Sequence, residues 1–249
     1  VTNPRHARRA EDFGADAVIA TGYEAAAHGD QVTGLVLIPA LADLLSIPVI
    51  AAGGFGDGRG LAAALALGAE GIAMGSRFAA TVESPLHPAA KQAIIDKSVT
   101  ETLYSKRFDG MPSRMMDALG ARRAMGRIFR PVEAFAGSLE ATRLIRQPYY
   151  RLFLDVVRSG MRNAIQMAYL AMGFRGYRFA IEKGMLEKGF LPIGQVTGLI
   201  HDEPTVGELV ERMVEEARIV QDRLSMIVKS GRHRTDRRER EPLDAVVGL

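Results

Sequence analysis

The chain has no cysteine and no tryptophan among its 249 residues. Without cysteine there is no disulfide framework and no thiolate metal site. Long apolar runs are missing too. The longest, around Leu35–Leu45, is short and carries Asp43, well under a membrane span. No secretory leader pattern opens the sequence, since Val1–Asp16 is polar and charged. Disorder is excluded by an apolar share of 47%. These readings predict a water-soluble, cytoplasmic chain with no membrane span, long enough to bury a sizeable core.

Charge of one sign is nearly absent from the body of the chain. The net charge is +3, and Lys229–Glu241 alone holds six Lys/Arg against three Asp/Glu. The excess therefore sits in one polar segment, read as a basic, flexible, solvated tail over 229–249. A neutral body gives no footprint for nucleic acid, and none is expected as a partner.

What is present first is an alternation. Ala17-Val-Ile-Ala20, Pro48-Val-Ile-Ala51 and Gly71-Ile-Ala-Met74 are short and apolar at every position. That pattern predicts strands buried on both faces of a parallel sheet. Helical periodicity fills the gaps: Pro4–Phe13 stopped by Gly14, Gly34–Leu45, and Arg59–Leu67 stopped by Gly68. GADAVIATG over 14–22 and GAEGIAMG over 68–75 read as two copies of one unit. The result is α/β. Three parallel strands neither close a barrel nor cover themselves, so the expected chain begins partway through a fold, with Val1 as the stub of another strand. Residues 1–85 form this part. Residues 86–228 read as mainly helical, with Leu139–Gly160, Met161–Gly184 and Thr205–Lys229 as helices. The Met-bearing face of 161–172 suits core packing or a wall for an apolar substrate. Thr205 and Glu208 have the spacing of a capping box.

In parallel α/β sheets, ligands sit at the carboxyl ends of strands. The second strand ends in Gly53-Gly-Phe-Gly-Asp-Gly58, and the third in Gly75-Ser76. Such loops free backbone N–H groups to approach an anion, and a helix start adds positive potential. Alternatively the glycines serve only tight turns. No Gly-Lys-Ser/Thr follows, so this is not a P-loop, and no dinucleotide glycine pattern opens a long βαβ unit. The first strand ends in a loop carrying His28 among small residues. A loop histidine is either a solvated side chain or a group able to move protons near neutrality. Glu24 and His28 are four apart, but nothing completes a metal set, and no metal is expected. Asp57 and Arg59 are placed to cap and neutralise the helix after the second strand. Arg77 is read as structural, paired with a carboxylate such as Glu83.

GADAVIATGYEAAAHGD, PVIAAGGFGDGRGLAAALALGAEGIAMGSRF and ATVESPLH together resemble the nitronate monooxygenase family. This family was formerly called the 2-nitropropane dioxygenases; NADH:quinone reductases and flavin enoyl reductases are its relatives. The match is close over residues 1–100 and looser through Leu191–Ile200.

The resemblance implies the C-terminal part of an FMN-binding (β/α)8 TIM barrel under a mainly helical substrate-covering region, with the N-terminal half of the barrel absent. It places Gly53, Gly54, Gly75 and Ser76 at the FMN phosphate, and Ala26 and Ala27 beside the flavin, where the family has glycines. His28 matches the active-site histidine, and Gln195 would approach the flavin ring. Ser76 stands where threonine is common. The implied reaction is oxidation of an alkyl nitronate with O2 to a carbonyl compound and nitrite, with His28 orienting the nitronate or taking the α-proton of a nitroalkane. NAD(P)H-dependent reduction of a quinone, or chemistry on an enoyl or acyl-CoA compound, is the alternative. An inactive truncated fragment and a flavin-free sugar-phosphate enzyme complete the set. The expected partner is a small molecule, and a homo-oligomer stays open.

Overall fold

A computed structural model describes residues 1–26, 28–126, 158 and 160–238, with residues 161–165, 172 and 231–238 described in the backbone alone. The N-terminal part alternates as the sequence pattern predicts: α1 (Pro4–Asp12), β1 (Val18–Thr21), α2 (Gly34–Leu44), β2 (Val49–Ala52), α3 (Gly58–Ala66) and β3 (Gly71–Ala73). A four-residue α4 (Ser76–Ala79) follows. The strands pair in parallel in the order β1-β2-β3, with Val18 opposite Val49 and Ala51 opposite Ile72. On the outer side of β1, Val1 donates to the Ile19 carbonyl and accepts from the Thr21 amide, the bonding of a parallel neighbour.

Local chemistry sets the helix starts. The Asn3 side chain accepts from the His6 amide ahead of Pro4, and the Asp57 carboxylate accepts from the Gly60 amide. Asp57 also pairs with Arg59, as its position suggested. Helix α2 has no side-chain cap of its own. The Glu24 carboxylate, from the loop after β1, accepts from the Gly34 amide with both oxygens at 3.0 Å.

The strands are not buried on both faces. Val18, Ala20, Val49 and Ala51 are buried together with Leu37, Ile38 and Leu41 of α2. Alternate residues point the other way, and there Ile19 is 52% exposed and Ile50 is only partly covered. The apolar residues at every position thus overstate the burial within this chain, because α1, α2 and α3 cover one face.

The described residues of the second part include strands as well as helices. After α5 (Pro88–Asp96), an antiparallel hairpin forms from β4 (Thr102–Ser105) and β5 (Ser113–Met116), with Tyr104 opposite Arg114. Then come α6 (Leu119–Met125), α7 (Met161–Ile181), a 3-10 turn (Gln195–Leu199) and α8 (Val206–Arg238). Of the helices read from periodicity, Leu139–Gly160 falls almost wholly outside the described residues. Helix α8 runs past Lys229 to Arg238, into the segment read as a flexible tail. The Thr205–Glu208 capping box is formed: the Glu208 carboxylate accepts from the Thr205 amide, and the Glu208 amide donates to the Thr205 hydroxyl.

Glu101 braces the entry to the hairpin. Its carboxylate accepts from the Lys97 ammonium and the Ser98 amide, and these bonds hold its pKa down to about 2 from the ordinary 4.5. A depressed carboxyl stabilises the fold fully above its unfolded value, and that contribution is lost as pH falls through the folded one. Thermal melts of the wild type and Glu101→Gln should therefore differ at neutral pH. The gap should narrow from about pH 4.5 downward and close near pH 2; a gap that is constant with pH would contradict this bracing.

Candidate functional site

Parallel pairing brings the carboxyl ends of β1, β2 and β3 to one side of the sheet, so the loops carrying His28, Gly53–Gly54 and Gly75–Ser76 share it. Gly53 and Gly54 sit at φ 93° and 87°, the left-handed region where glycine is unstrained. Neither has room to spare. A Cβ on Gly53 would lie 3.0 Å from the Ala25 Cβ, and one on Gly54 would lie 3.3 Å from the Glu24 Cβ. The β2 loop thus packs directly on the His28 loop. Gly75 is the opposite case: a Cβ there would meet nothing within 4 Å, so its backbone faces open space.

Ser76 is buried, and its hydroxyl oxygen accepts from the Gly194 amide at 2.9 Å. The hydroxyl proton remains available to donate. Next to it the Gln195 amide donates to the Glu24 carbonyl at 2.9 Å. A Cβ on Gly194 would sit 3.3 Å from the Ala26 amide nitrogen. Segment 194–195 therefore ties the loop after β3 to the loop after β1. Gly53, Gly54, Ser76 and Ala26 are brought together through Glu24, Ala25 and Gly194. Ala27 lies outside the described residues.

The β4–β5 hairpin holds the His28 loop from the other side. The Arg114 amide donates to the Ala26 carbonyl, and the Arg114 Nη2 donates to the Tyr23 carbonyl at 3.0 Å. The Tyr104 hydroxyl donates to the Gly29 carbonyl at 2.9 Å. Arg114 is buried, and its guanidinium carbon stands 4.6 Å from the Tyr23 ring centre and 5.4 Å from that of Tyr104. Two aromatic faces thus stand in for a carboxylate partner.

At the hairpin's tip, Asp109 reaches His28, with Nε2 to Oδ2 at 2.8 Å. The Tyr177 hydroxyl of α7 donates to the same oxygen at 2.7 Å. Burial first, and then this bond to Asp109, pushes the Tyr177 hydroxyl well above its ordinary pKa, so it stays protonated.

Arg77 does not pair with Glu83. It is 2% exposed and binds Asp202, through the backbone carbonyl at 3.1 Å and through Oδ1 at 2.6 Å. Glu83 instead accepts from the Val206 amide and caps α8. Closeness in sequence favours Glu83 as the partner, but the fold brings Asp202, 125 positions later, to the guanidinium instead. Arg77 is turned to the 202–204 segment, so an anion at Gly75–Ser76 would be met by backbone amides and the serine hydroxyl. Among the described residues, no group of three or more His, Asp or Glu is placed to hold a metal. No helix among them is long and apolar enough to cross a membrane.

The profile of the nitronate monooxygenase family matches residues 1–216. The chain belongs to that family. Among the relatives of this nitronate monooxygenase-family chain is the (3aS,4S,5R,7aS)-5-hydroxy-7a-methyl-1-oxo-octahydro-1H-indene-4-carboxyl-CoA dehydrogenase of Rhodococcus jostii (strain RHA1). It is 35% identical over 218 residues, 86% of this chain and 62% of that protein. A probable nitronate monooxygenase of Bacillus subtilis (strain 168) is 43% identical over 113 residues, 42% of this chain and 33% of that protein. The structure of FabK from Thermotoga maritima superposes with a TM-score of 0.70 at 33% identity, covering 91% of this chain and 62% of that one. The chain thus spans about three fifths of the length of the Rhodococcus jostii dehydrogenase and of the Thermotoga maritima FabK.

The family resemblance pointed to the glycines and His28 but not to Asp109, Tyr104, Arg114 or Tyr177. One local signal was available: Asp109-Gly110, flanked by Tyr104 and Arg114, is a turn pair between two short runs. Nothing local joins it to His28, 81 positions earlier.

Proposed function

We propose that the chain carries the phosphate-binding loops and the proton-handling histidine of an FMN-dependent oxidoreductase, the strands being the later part of a (β/α)8 barrel. Its proposed reaction is oxidation of alkyl nitronates with O2 to a carbonyl compound and nitrite. The carrying observation is the convergence of Gly53–Gly54, Gly75–Ser76 and the His28 loop at neighbouring ends of three parallel strands. The residues fit the group. A Cβ on Gly75 would meet nothing within 4 Å, which leaves room for a phosphate to approach the backbone, and the Ser76 hydroxyl, which accepts from the Gly194 amide, keeps a proton to donate. The packed, positive-φ turn at Gly53–Gly54 gives a fixed wall.

When bound, FMN supplies the redox chemistry. The protein's own residues do the rest. Backbone amides at 53–54 and 75–76 hold a dianionic phosphate without long side chains. Ala26 would lie beside the flavin, where its methyl group would narrow the space that the family leaves with glycine. Gln195, whose backbone amide donates to the Glu24 carbonyl, would approach the flavin ring. His28 orients an anionic nitronate by donating a hydrogen bond, or takes the α-proton of the neutral nitroalkane.

The test is to mix the purified chain with FMN and follow flavin absorbance and fluorescence quenching, then to reduce the loaded protein anaerobically. Binding, with reduction by propyl-2-nitronate, is the expected result. No binding of FMN by the chain, or by a longer protein containing it, would sink the reading. A second reading has its own support. The relative matching 86% of the chain is a carboxyl-CoA dehydrogenase, whereas the Bacillus subtilis nitronate monooxygenase matches over 42%. NAD(P)H-dependent reduction of a quinone, or oxidoreduction of an acyl-CoA, follows if the flavin responds to NAD(P)H or an acyl-CoA but not to nitronate.

A further inference from the structure

We propose that Asp109 and Tyr177 are positioning residues that keep the His28 proton on Nε2, so that Nδ1 is the nitrogen offered to the substrate. This rests on the reading of His28 as the proton-handling group.

The geometry starts with Asp109. Its side chain is 1% exposed, against 44% for that of His28. Among the described residues no Lys or Arg pairs with it; the donors it meets are three. The Met111 amide reaches Oδ1 at 3.2 Å, and the Tyr177 hydroxyl and His28 Nε2 reach Oδ2 at 2.7 and 2.8 Å. A carboxylate can only accept. Tyr177 keeps its proton and shares it with Oδ2 in a hydrogen bond, so Oδ2 acts as the acceptor there. The contact at Nε2 is then satisfied only if Nε2 carries hydrogen, and a neutral imidazole so held has its lone pair on Nδ1.

The hold is built into the packing. Phe108, next to Asp109, is buried with its ring centre 5.4 Å from that of Phe190, and Tyr177 lies edge-on to Phe190 at 4.9 Å. On α7, Gly173 lies one turn before Tyr177, on the same face. A Cβ at Gly173 would stand 2.6 Å from the Phe108 carbonyl oxygen and 3.3 Å from the Asp109 Cβ. The missing side chain lets the hairpin tip close on the helix, and Tyr177 then closes on the carboxylate. Asp109 is therefore fixed by α7 and the hairpin, and His28 is steered by Asp109.

The chemical consequence is specific. On a neutral nitroalkane, the α-carbon–hydrogen bond breaks, its electron pair stays with the substrate as the nitronate, and the proton goes to Nδ1. The imidazolium so formed keeps Nε2–H against Asp109, whose charge balances it.

The experiment reads the tautomer directly. In the full chain labelled with 15N-histidine, without flavin, the ring signals of His28 are assigned by their loss in His28→Asn. The wild type should show Nε2–H and an unprotonated Nδ1. Asp109→Asn should redistribute the tautomers, Tyr177→Phe should do so in part, and Asp109→Glu should retain the wild-type pattern. In the flavin-loaded enzyme, Asp109→Asn should lower kcat by about 10- to 1000-fold with KM changed far less, and Asp109→Glu should recover part of it. A wild-type ring protonated on Nδ1 would overturn the proposal, as would an unchanged tautomer in both Asp109→Asn and Tyr177→Phe. A shifted tautomer with full turnover would support the hold and remove His28 from the chemistry, which is failure of the parent reading alone. Because the wild-type spectrum decides the tautomer by itself, poor folding of one variant does not leave the question open.

Discussion

Replacing His28 by asparagine is expected to lower turnover by about a hundredfold to ten-thousandfold, the range a positioned acid–base group supplies, while FMN stays bound. Two features separate these effects. His28 is exposed on the loop after β1, and among the described residues its side chain bonds that of Asp109. The groups proposed for the phosphate are the backbones at Gly53–Gly54 and Gly75–Ser76, on other loops. The His28 loop also keeps its shape without the imidazole. Arg114 holds it at Tyr23 and Ala26, Tyr104 at Gly29, and Gln195 at Glu24. Steady-state rates with a neutral nitroalkane and with its preformed nitronate would show what the histidine does. If it removes the α-proton, the loss is confined largely to the nitroalkane. If it orients the anion, both substrates suffer. Unchanged rates with both would take His28 out of the mechanism.

The same loop shows where the sequence is readable and where it is not. The alternation of short apolar runs with Gly-stopped helices is local information. It places β1, β2, β3 and the helices between them, because each strand is a short run that is apolar at every position, even though only alternate residues of β1 are buried. The family resemblance adds the glycine loops and His28. The hairpin leaves no such mark. Ser113 and Arg114 belong to β5 and are fully buried, yet a serine and an arginine read as surface. Arg114 is tolerated inside because Tyr23 and Tyr104 cover its guanidinium and the Tyr23 carbonyl and Thr102 hydroxyl accept from it. Each of those partners comes from another segment. Asp109 is hidden for the same reason: its meaning depends on residues 28 and 177, which are brought near only by folding. Arg77 makes the point from the other direction. Its type and its need for a carboxylate were legible, while the partner was not, since Asp202 lies 125 positions away.

That pair carries the largest expected effect on stability, and the two halves should behave differently. Arg77 is 2% exposed and Asp202 is 44% exposed. Burial pulls the guanidinium pKa down against the pull of Asp202, so the cation is held inside at a cost that Asp202 offsets. Asp202→Ala removes that compensation and leaves the buried cation with backbone acceptance at best. Stripping one partner from a fully buried pair costs about 3–5 kcal/mol. With one partner half in solvent, about 2–3 kcal/mol is expected here. Asp202→Ala also frees Arg212, whose Nη1 binds the other carboxylate oxygen, but that arginine is exposed and loses little. Arg77→Met should cost less than Asp202→Ala, because it removes the buried charge and keeps most of the packed stem, while Asp202 retains Arg212. Urea unfolding of both variants reads the order. If Arg77→Met is the more damaging, the guanidinium matters for its bonds to the Asp202 carbonyl and carboxylate more than for its charge, and the turn that joins the loop after β3 to α8 is held by Arg77 itself.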